Sequence, residues 1–139
     1  MTYYSRKSTR IPGYDYSREH YYFITICTHE HRCIFGHPER MNRFGFIAQN
    51  HILRMSQHSP EIFVDKFVVM PNHIHMILVI ENRSGKRADQ IIGFLKAGIS
   101  REIRKMEPEM KIWQRSFHDH IIRNEKTIKR YGNILIIIQ

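Results

Sequence analysis

Cysteine is nearly missing from this chain: Cys27 and Cys33 are the only two in 139 residues. Two are too few for a disulfide framework, and their spacing matches no common zinc pattern, so both read as reduced cytosolic thiols. No apolar run approaches the ~20 residues that a membrane-crossing helix needs. The opening MTYYSRKSTR carries charge with no apolar stretch behind it, which excludes it as a secretory signal. Internal repeats and low-complexity blocks are absent as well. These absences predict a cytoplasmic protein without a membrane span, and the length predicts a single domain over 1–139 with a real core.

Acidic residues are also scarce. Thirteen Asp and Glu face 22 Lys and Arg, giving a net charge of +9, with ten histidines besides. That balance disfavours an acidic protein partner or a small cationic substrate and favours a polyanion such as nucleic acid. Residues 1–18 form a basic and aromatic arm with no clear period, mixing Tyr3, Tyr4, Tyr14 and Tyr16 with Arg6, Lys7 and Arg10. Cations interleaved with aromatics can pair phosphates and stack on bases; the tyrosines can equally pack on the domain.

Beyond the arm, hydrophobic periodicity divides the chain cleanly. Tyr21–His29, rich in β-branched and aromatic residues, predicts a strand. Arg32–Pro38 contains Gly36 and Pro38 and reads as a loop. Met41–His58 has Phe44, Ile47, Ile52 and Met55 at mostly helical spacing and ends before Ser59-Pro60. Strands follow at Glu61–Val69 and His73–Glu81, split by a turn at Pro71-Asn72, and Asn82–Lys86 is a polar loop. Ala88–Met106 predicts a second helix with an apolar stripe of Ile91, Ile92, Leu95, Ile99 and Ile103, stopped by Pro108. Lys111–Ile122 reads as a fourth strand, and Asn124 can cap a short third helix. The order β-α-β-β-α-β predicts an α+β, ferredoxin-like antiparallel sheet with a short C-terminal helix or its remnant.

The third strand carries the chemistry. In MPNHIHMILVI, His73 and His75 are two positions apart, so on a strand they project from one face while Ile74 packs the other way. Paired imidazoles suit a divalent metal, and a divalent metal suits phosphate chemistry. His118 and His120 repeat the spacing on the fourth strand. One of them can join as a third ligand if that strand neighbours the first pair; otherwise His120 is structural or touches phosphate and His118 is incidental. Arg115 and Arg123 flank that strand as DNA-backbone contacts or as solvated surface arginines. Arg101, Arg104 and Lys105 complement the end of the second helix.

GYDYS (13–17), YFITICTH (22–29), FVVMPNHIH (67–75) and WQRSFHDHIIRNE (113–125) together resemble the IS200/IS605-like single-tyrosine transposases, above all the REP-associated branch. The similarity runs from about residue 5 to about residue 128, in order. It implies an HUH endonuclease acting on single-stranded DNA hairpins, with His73 and His75 holding Mg²⁺ or Mn²⁺ against the scissile phosphodiester. It implies, too, a tyrosine on a C-terminal helix that attacks the phosphorus, leaving a 5′-phosphotyrosine and a free 3′-OH. A homodimer, each tyrosine completing the partner's site, belongs to the same expectation.

The end of the chain departs from that pattern. In relatives a helix resembling IWEYIxxNP follows the RNE block, which places the nucleophile at position 134 and a polar companion at 138. Here those positions hold Ile134 and Ile138. Tyr131, one helical turn earlier, is the remaining candidate nucleophile, with Gly132 beside it disfavouring a helix. Reading Tyr131–Gln139 from the third base of each codon can yield Trp-Glu-Tyr-Ile-Asp-Tyr-Asn-Pro, the missing motif in register. We therefore expect 129–139 to be an aberrant tail left by a frameshift near codons 128–131, with the nucleophile lost. The leading expectation is a DNA-binding transposase, impaired in cleavage. The alternative is a non-catalytic nucleic-acid-binding module on a ferredoxin-like sheet, indifferent to His73→Ala.

Overall fold

The computed structural model describes residues 2–5, 19–58, 60–81, 84–115 and 120–122. Its centre is a five-stranded antiparallel sheet made from β1 (Thr2–Ser5), β2 (Glu19–Cys27), β5 (Ile62–Met70), β6 (His73–Glu81) and β7 (His120–Ile122), in the order β1-β5-β6-β2-β7. Two short strands, β3 (Gly36–His37) and β4 (Arg40–Met41), make a separate ribbon. Two helices, α1 (Arg43–His58) and α2 (Ala88–Ile103), complete the layers. Without β1 and the ribbon, the strand order is the split β-α-β-β-α-β arrangement that the sequence periodicity predicts.

The alternation of residues decides which face meets the helices. Ile74, Met76, Leu78 and Ile80 of β6 join Ile24 and Ile26 of β2 and Phe67 and Val69 of β5 in one core. Ile52 of α1 and Ile92, Ile99 and Ile103 of α2 meet them from above. Yet Ile77, Val79, Val68 and Phe23 are buried too, although they alternate to the other face. A strand covered on both faces reads as a continuous apolar run, and MILVI in β6 is such a run.

Local chemistry sets the ends of the elements. Asn42 caps α1: its Oδ1 accepts the N–H of Gly45 at 2.9 Å, while its Nδ2 donates to the Ile34 carbonyl at 2.9 Å. A Cβ on Gly45 would stand 2.6 Å from the Phe35 carbonyl oxygen, so only glycine lets the helix start lie against that loop. Between the helices, His51 Nε2 lies 2.7 Å from Glu102 Oε2, tying α1 to α2.

Four expectations need correction. Thr2–Ser5 is not irregular: it pairs with β5 from Thr2 opposite Val69 to Ser5 opposite Lys66, because the outer edge of β5 offers unpaired backbone groups to a β-forming stretch. The fourth strand does not run from Lys111. Among the described residues, strand pairing there is seen at His120–Ile122, and Trp113 contributes a single bridge to Thr28. The Trp113 indole also donates to the Lys96 carbonyl of α2 at 3.0 Å, which ties this stretch to the helix as well as to the end of β2. Arg32–Pro38 is not wholly a loop, since Gly36 and His37 open the β3–β4 ribbon. The second helix ends at Ile103 and passes through turns before Pro108. The proposed third helix from Asn124 and the tail 129–139 lie outside the described residues, as does the rest of the arm, 6–18.

Candidate functional site

The hairpin between β5 and β6 is the tightest link in the sheet: Met70 pairs with His73, leaving Pro71 and Asn72 as its two-residue turn. Both turn carbonyls are held from outside. Phe35 N–H donates to the Pro71 carbonyl at 3.0 Å, and Thr28 N–H donates to the Asn72 carbonyl at 3.1 Å. The Thr28 hydroxyl is buried and stands 2.9 Å from the Asn72 carbonyl and 2.7 Å from that of Arg32, sharing one proton between them. A loop from β2 therefore fixes the turn from which the histidine strand starts.

His73 and His75 emerge together from β6, the middle strand, with ring centroids 4.5 Å apart and planes at 72°. Ile74 between them is wholly buried in the core, as its alternation requires. Each ring has its Nδ1 engaged. His73 Nδ1 lies 2.7 Å from Asn72 Oδ1, whose amide nitrogen faces the His31 carbonyl at 3.4 Å. That amide orientation makes the oxygen an acceptor, so His73 carries its proton on Nδ1 and a lone pair on Nε2. His75 Nδ1 lies 3.0 Å from the hydroxyl of Thr25, the residue directly across β2. With the proton on Nδ1 the hydroxyl accepts it, and Nε2 again carries the lone pair. Phe23 stacks on His75 with centroids 5.5 Å apart, fixing the ring plane.

The same surroundings keep the pair neutral. Burial, aided by the neighbouring His73, pushes His75 down from 6.5 to about 4, and burial with a smaller contribution from His31 lowers His73. His31 sits in a strained turn: it and Glu30 adopt φ of 54° and 53°, a left-handed conformation that costs each non-glycine residue about 1–2 kcal/mol.

A pH dependence follows from the neutral rings. The folded value of His75 lies below its unfolded one, so on acidification the unfolded chain takes up the proton first. The stability contributed by the neutral ring is complete above pH 6.5 and drains away as pH falls toward about 4. A shift of this size corresponds to on the order of 2–3 kcal/mol. Between pH 7 and pH 4, His75→Gln is expected to lose less stability than the wild type by that margin in denaturant titrations. Parallel pH profiles for the two proteins would refute it.

The other sequence-derived candidates are scattered. Arg115 is exposed, just after the Trp113 bridge. Arg6, Lys7, Arg10, His118, Arg123 and Tyr131 lie outside the described residues. His120 stands in register with Thr25, but β7 pairs with β2 and β2 separates it from β6. The condition for its strand to supply a third ligand, direct adjacency to the pair, is therefore not met. Among the described residues no group of three His, Cys, Asp or Glu side chains converges as a metal site. Sequence reasoning missed Thr25 and the side-chain role of Asn72. Asn72 had a visible signal, since it directly precedes the pair; Thr25 depends on strand register, which period alone cannot provide.

This fold recurs in known proteins. A Haemophilus influenzae protein of uncharacterised function is 34% identical over 146 aligned positions, spanning 88% of this chain and 81% of its own length. A crystal structure of a candidate transposase from Deinococcus radiodurans superposes with a TM-score of 0.61 at 13% identity, covering 92% of this chain and 98% of that one. The REP-associated tyrosine transposase, solved bound to a REP hairpin, superposes with a TM-score of 0.54 at 18% identity, covering 81% of this chain and 61% of that one. At those identities the two structures establish the shared fold. Residues 16–132 match the family model "Transposase IS200 like", and this chain is a member of that family.

Proposed function

We propose that the protein binds hairpins of single-stranded DNA and presents a divalent-metal site, His73 and His75, to one phosphodiester of that DNA. The observation that carries this reading is the pairing of two neutral rings, each with Nδ1 engaged and Nε2 left to coordinate. Partners of this kind on the non-coordinating nitrogen fix tautomer and ring orientation in metal-binding histidines. The donor set fits Mg²⁺ or Mn²⁺ in part: two imidazole nitrogens, with the remaining positions open to water and phosphate oxygens. When bound, such an ion supplies positive charge beside the phosphate oxygens, where negative charge builds during displacement.

The chain's own contribution is rigidity and exclusion. Ile74 locks the strand, Phe23 and Thr25 hold His75, and Asn72 holds His73. Net charge of +9 draws the DNA in. A hydroxyl oxygen attacking phosphorus would form the new ester as the old one breaks, with the proton passing to the departing 3′-oxygen. A tyrosine at position 134 would be that nucleophile; Ile134 stands there. The protein is thus a hairpin-binding transposase relative whose cleavage is impaired. The dimer expected from the resemblance belongs to the same reading, each subunit completing its partner's site.

Calorimetric titration with Mn²⁺ tests the centre. His73→Ala is expected to weaken binding at least tenfold while preserving the circular dichroism spectrum and hairpin affinity measured without metal. Unchanged Mn²⁺ affinity would instead favour the non-catalytic binding module, which uses the same sheet without an ion.

A further inference from the structure

The C-terminal half of α2 bounds a groove of about 590 Å³ that the histidine pair does not use. We propose that it binds the phosphodiester backbone of the DNA strand leading away from the hairpin, a second contact region that rests on the DNA-binding reading above. Two adjacent rows at i,i+4 spacing form its floor: Lys96–Ser100–Arg104 and Ala97–Arg101–Lys105. The small Ser100 and Ala97 leave a trough between cations at its ends, and Trp113 makes the far wall. Among the described residues, no acidic side chain lines it.

The wall is fixed. The Trp113 indole N–H donates to the Lys96 carbonyl at 3.0 Å, and the Lys96 ammonium lies 5.8 Å from the indole centroid. Arg104 Nε donates to the Met110 carbonyl at 3.0 Å, anchoring that side chain at the rim. Among the described residues, no carboxylate lies within 4.0 Å of Arg101, Arg104 or Lys105. Complementing the helix dipole accounts for cations near this end. It does not account for Arg101 and Lys105 lining one trough, where their like charges repel, nor for the small residues between the rows. A row of phosphates relieves that repulsion and fits the trough.

The groove is also near the histidine pair. Trp113 bridges Thr28, and Gln114 N–H donates to the Cys27 carbonyl at 3.1 Å. Cys27 pairs with His73. Two strand spacings, roughly 10 Å, therefore separate the wall from β6. A strand leaving His73 would round the corner at residues 29–32, where His31 and Arg32 are exposed, and enter beside Trp113. Lone cations at helix ends are visible in the sequence, but the wall that turns them into a channel comes from a segment some ten residues later.

The test is fluorescence anisotropy at several salt concentrations, using one hairpin with a single-stranded flank of about ten nucleotides and the same hairpin trimmed at its base. Arg101→Gln with Lys105→Gln changes two exposed side chains outside the core. For the flanked DNA this pair should lower affinity about tenfold and reduce the slope of log K against log salt by about 1.4, or 0.7 for each lost phosphate contact. The trimmed hairpin should be bound as by the wild type, and the charge-matched Arg40→Gln with Lys86→Gln should leave both unaffected. An unchanged slope with flanked DNA, an equal loss with the trimmed hairpin, or an equal loss in the charge-matched control each overturns the groove assignment alone. So does equal binding and equal weakening with a flanked RNA of the same sequence. Wild-type protein that binds neither DNA overturns the DNA-binding reading and the groove with it.

Discussion

Replacing residues 132–139 by Trp-Glu-Tyr-Ile-Asp-Tyr-Asn-Pro should turn a weak or silent protein into a hairpin nickase in the presence of Mn²⁺. The expected gain is roughly 10⁴-fold or more, the scale on which enzymes lose rate when a covalent nucleophile is removed. The reasoning starts from charge. A phosphodiester repels nucleophiles, and a metal beside it lowers that barrier but provides no attacking atom. Water can attack in its place, but it is not held in line, and positioning alone can account for several kcal/mol of barrier. A tyrosine in register supplies the oxygen and stays attached to the 5′-phosphate, so the product is a covalent protein–DNA adduct visible on a denaturing gel. Phenylalanine in place of the tyrosine introduced at position 134 should return the restored chain to background. In the chain as it stands, Tyr131→Phe should change nothing. Robust nicking by the unaltered protein that Tyr131→Phe abolishes would make Tyr131 the nucleophile and defeat the frameshift account.

Much of the sheet is legible in the sequence because period-2 patterning is strong where one face is core. Ile62–Met70, His73–Glu81 and Glu19–Cys27 lie within two residues of their expected bounds. The paired orientation of His73 and His75 follows from the same alternation, and the structure has them side by side. What could not be read depends on contacts between distant segments. Thr2–Ser5 is too short for a pattern of its own and exists as a strand because β5 has an open edge. Lys111–Ile122 reads as a strand, yet the Trp113 indole near its start answers to a carbonyl on α2. Thr25 reaches His75 only through the register of β2 on β6, and a slip of one residue would send it to the other face. The support around the pair is thus less visible than the pair itself.

That dependence on the strand beneath makes Ile74→Ala the most informative core substitution. Ile74 is fully buried between the two histidines, on the middle strand, among Ile26 of β2, Val69 of β5 and the helices. Removing its side chain strips apolar contacts and leaves a cavity, which should cost about 2–5 kcal/mol of unfolding free energy. Because the sheet around it relaxes to fill the space, the backbone on either side should shift as well. His73 and His75 would then lose the alignment on which joint coordination depends, and Mn²⁺ affinity should fall by tenfold or more even under conditions where the variant is folded. Ile80→Ala provides the comparison: it is also buried in β6 and faces the same core, but lies at the strand's far end, opposite Ile62 and His20. It should lose comparable stability and keep its Mn²⁺ affinity. If both variants lose affinity in proportion to their loss of stability, the effect is global softening, and Ile74 has no special part in holding the rings. If neither loses affinity, the pair is held by Asn72, Thr25 and Phe23 alone, and the strand's anchoring in the core is incidental to the site.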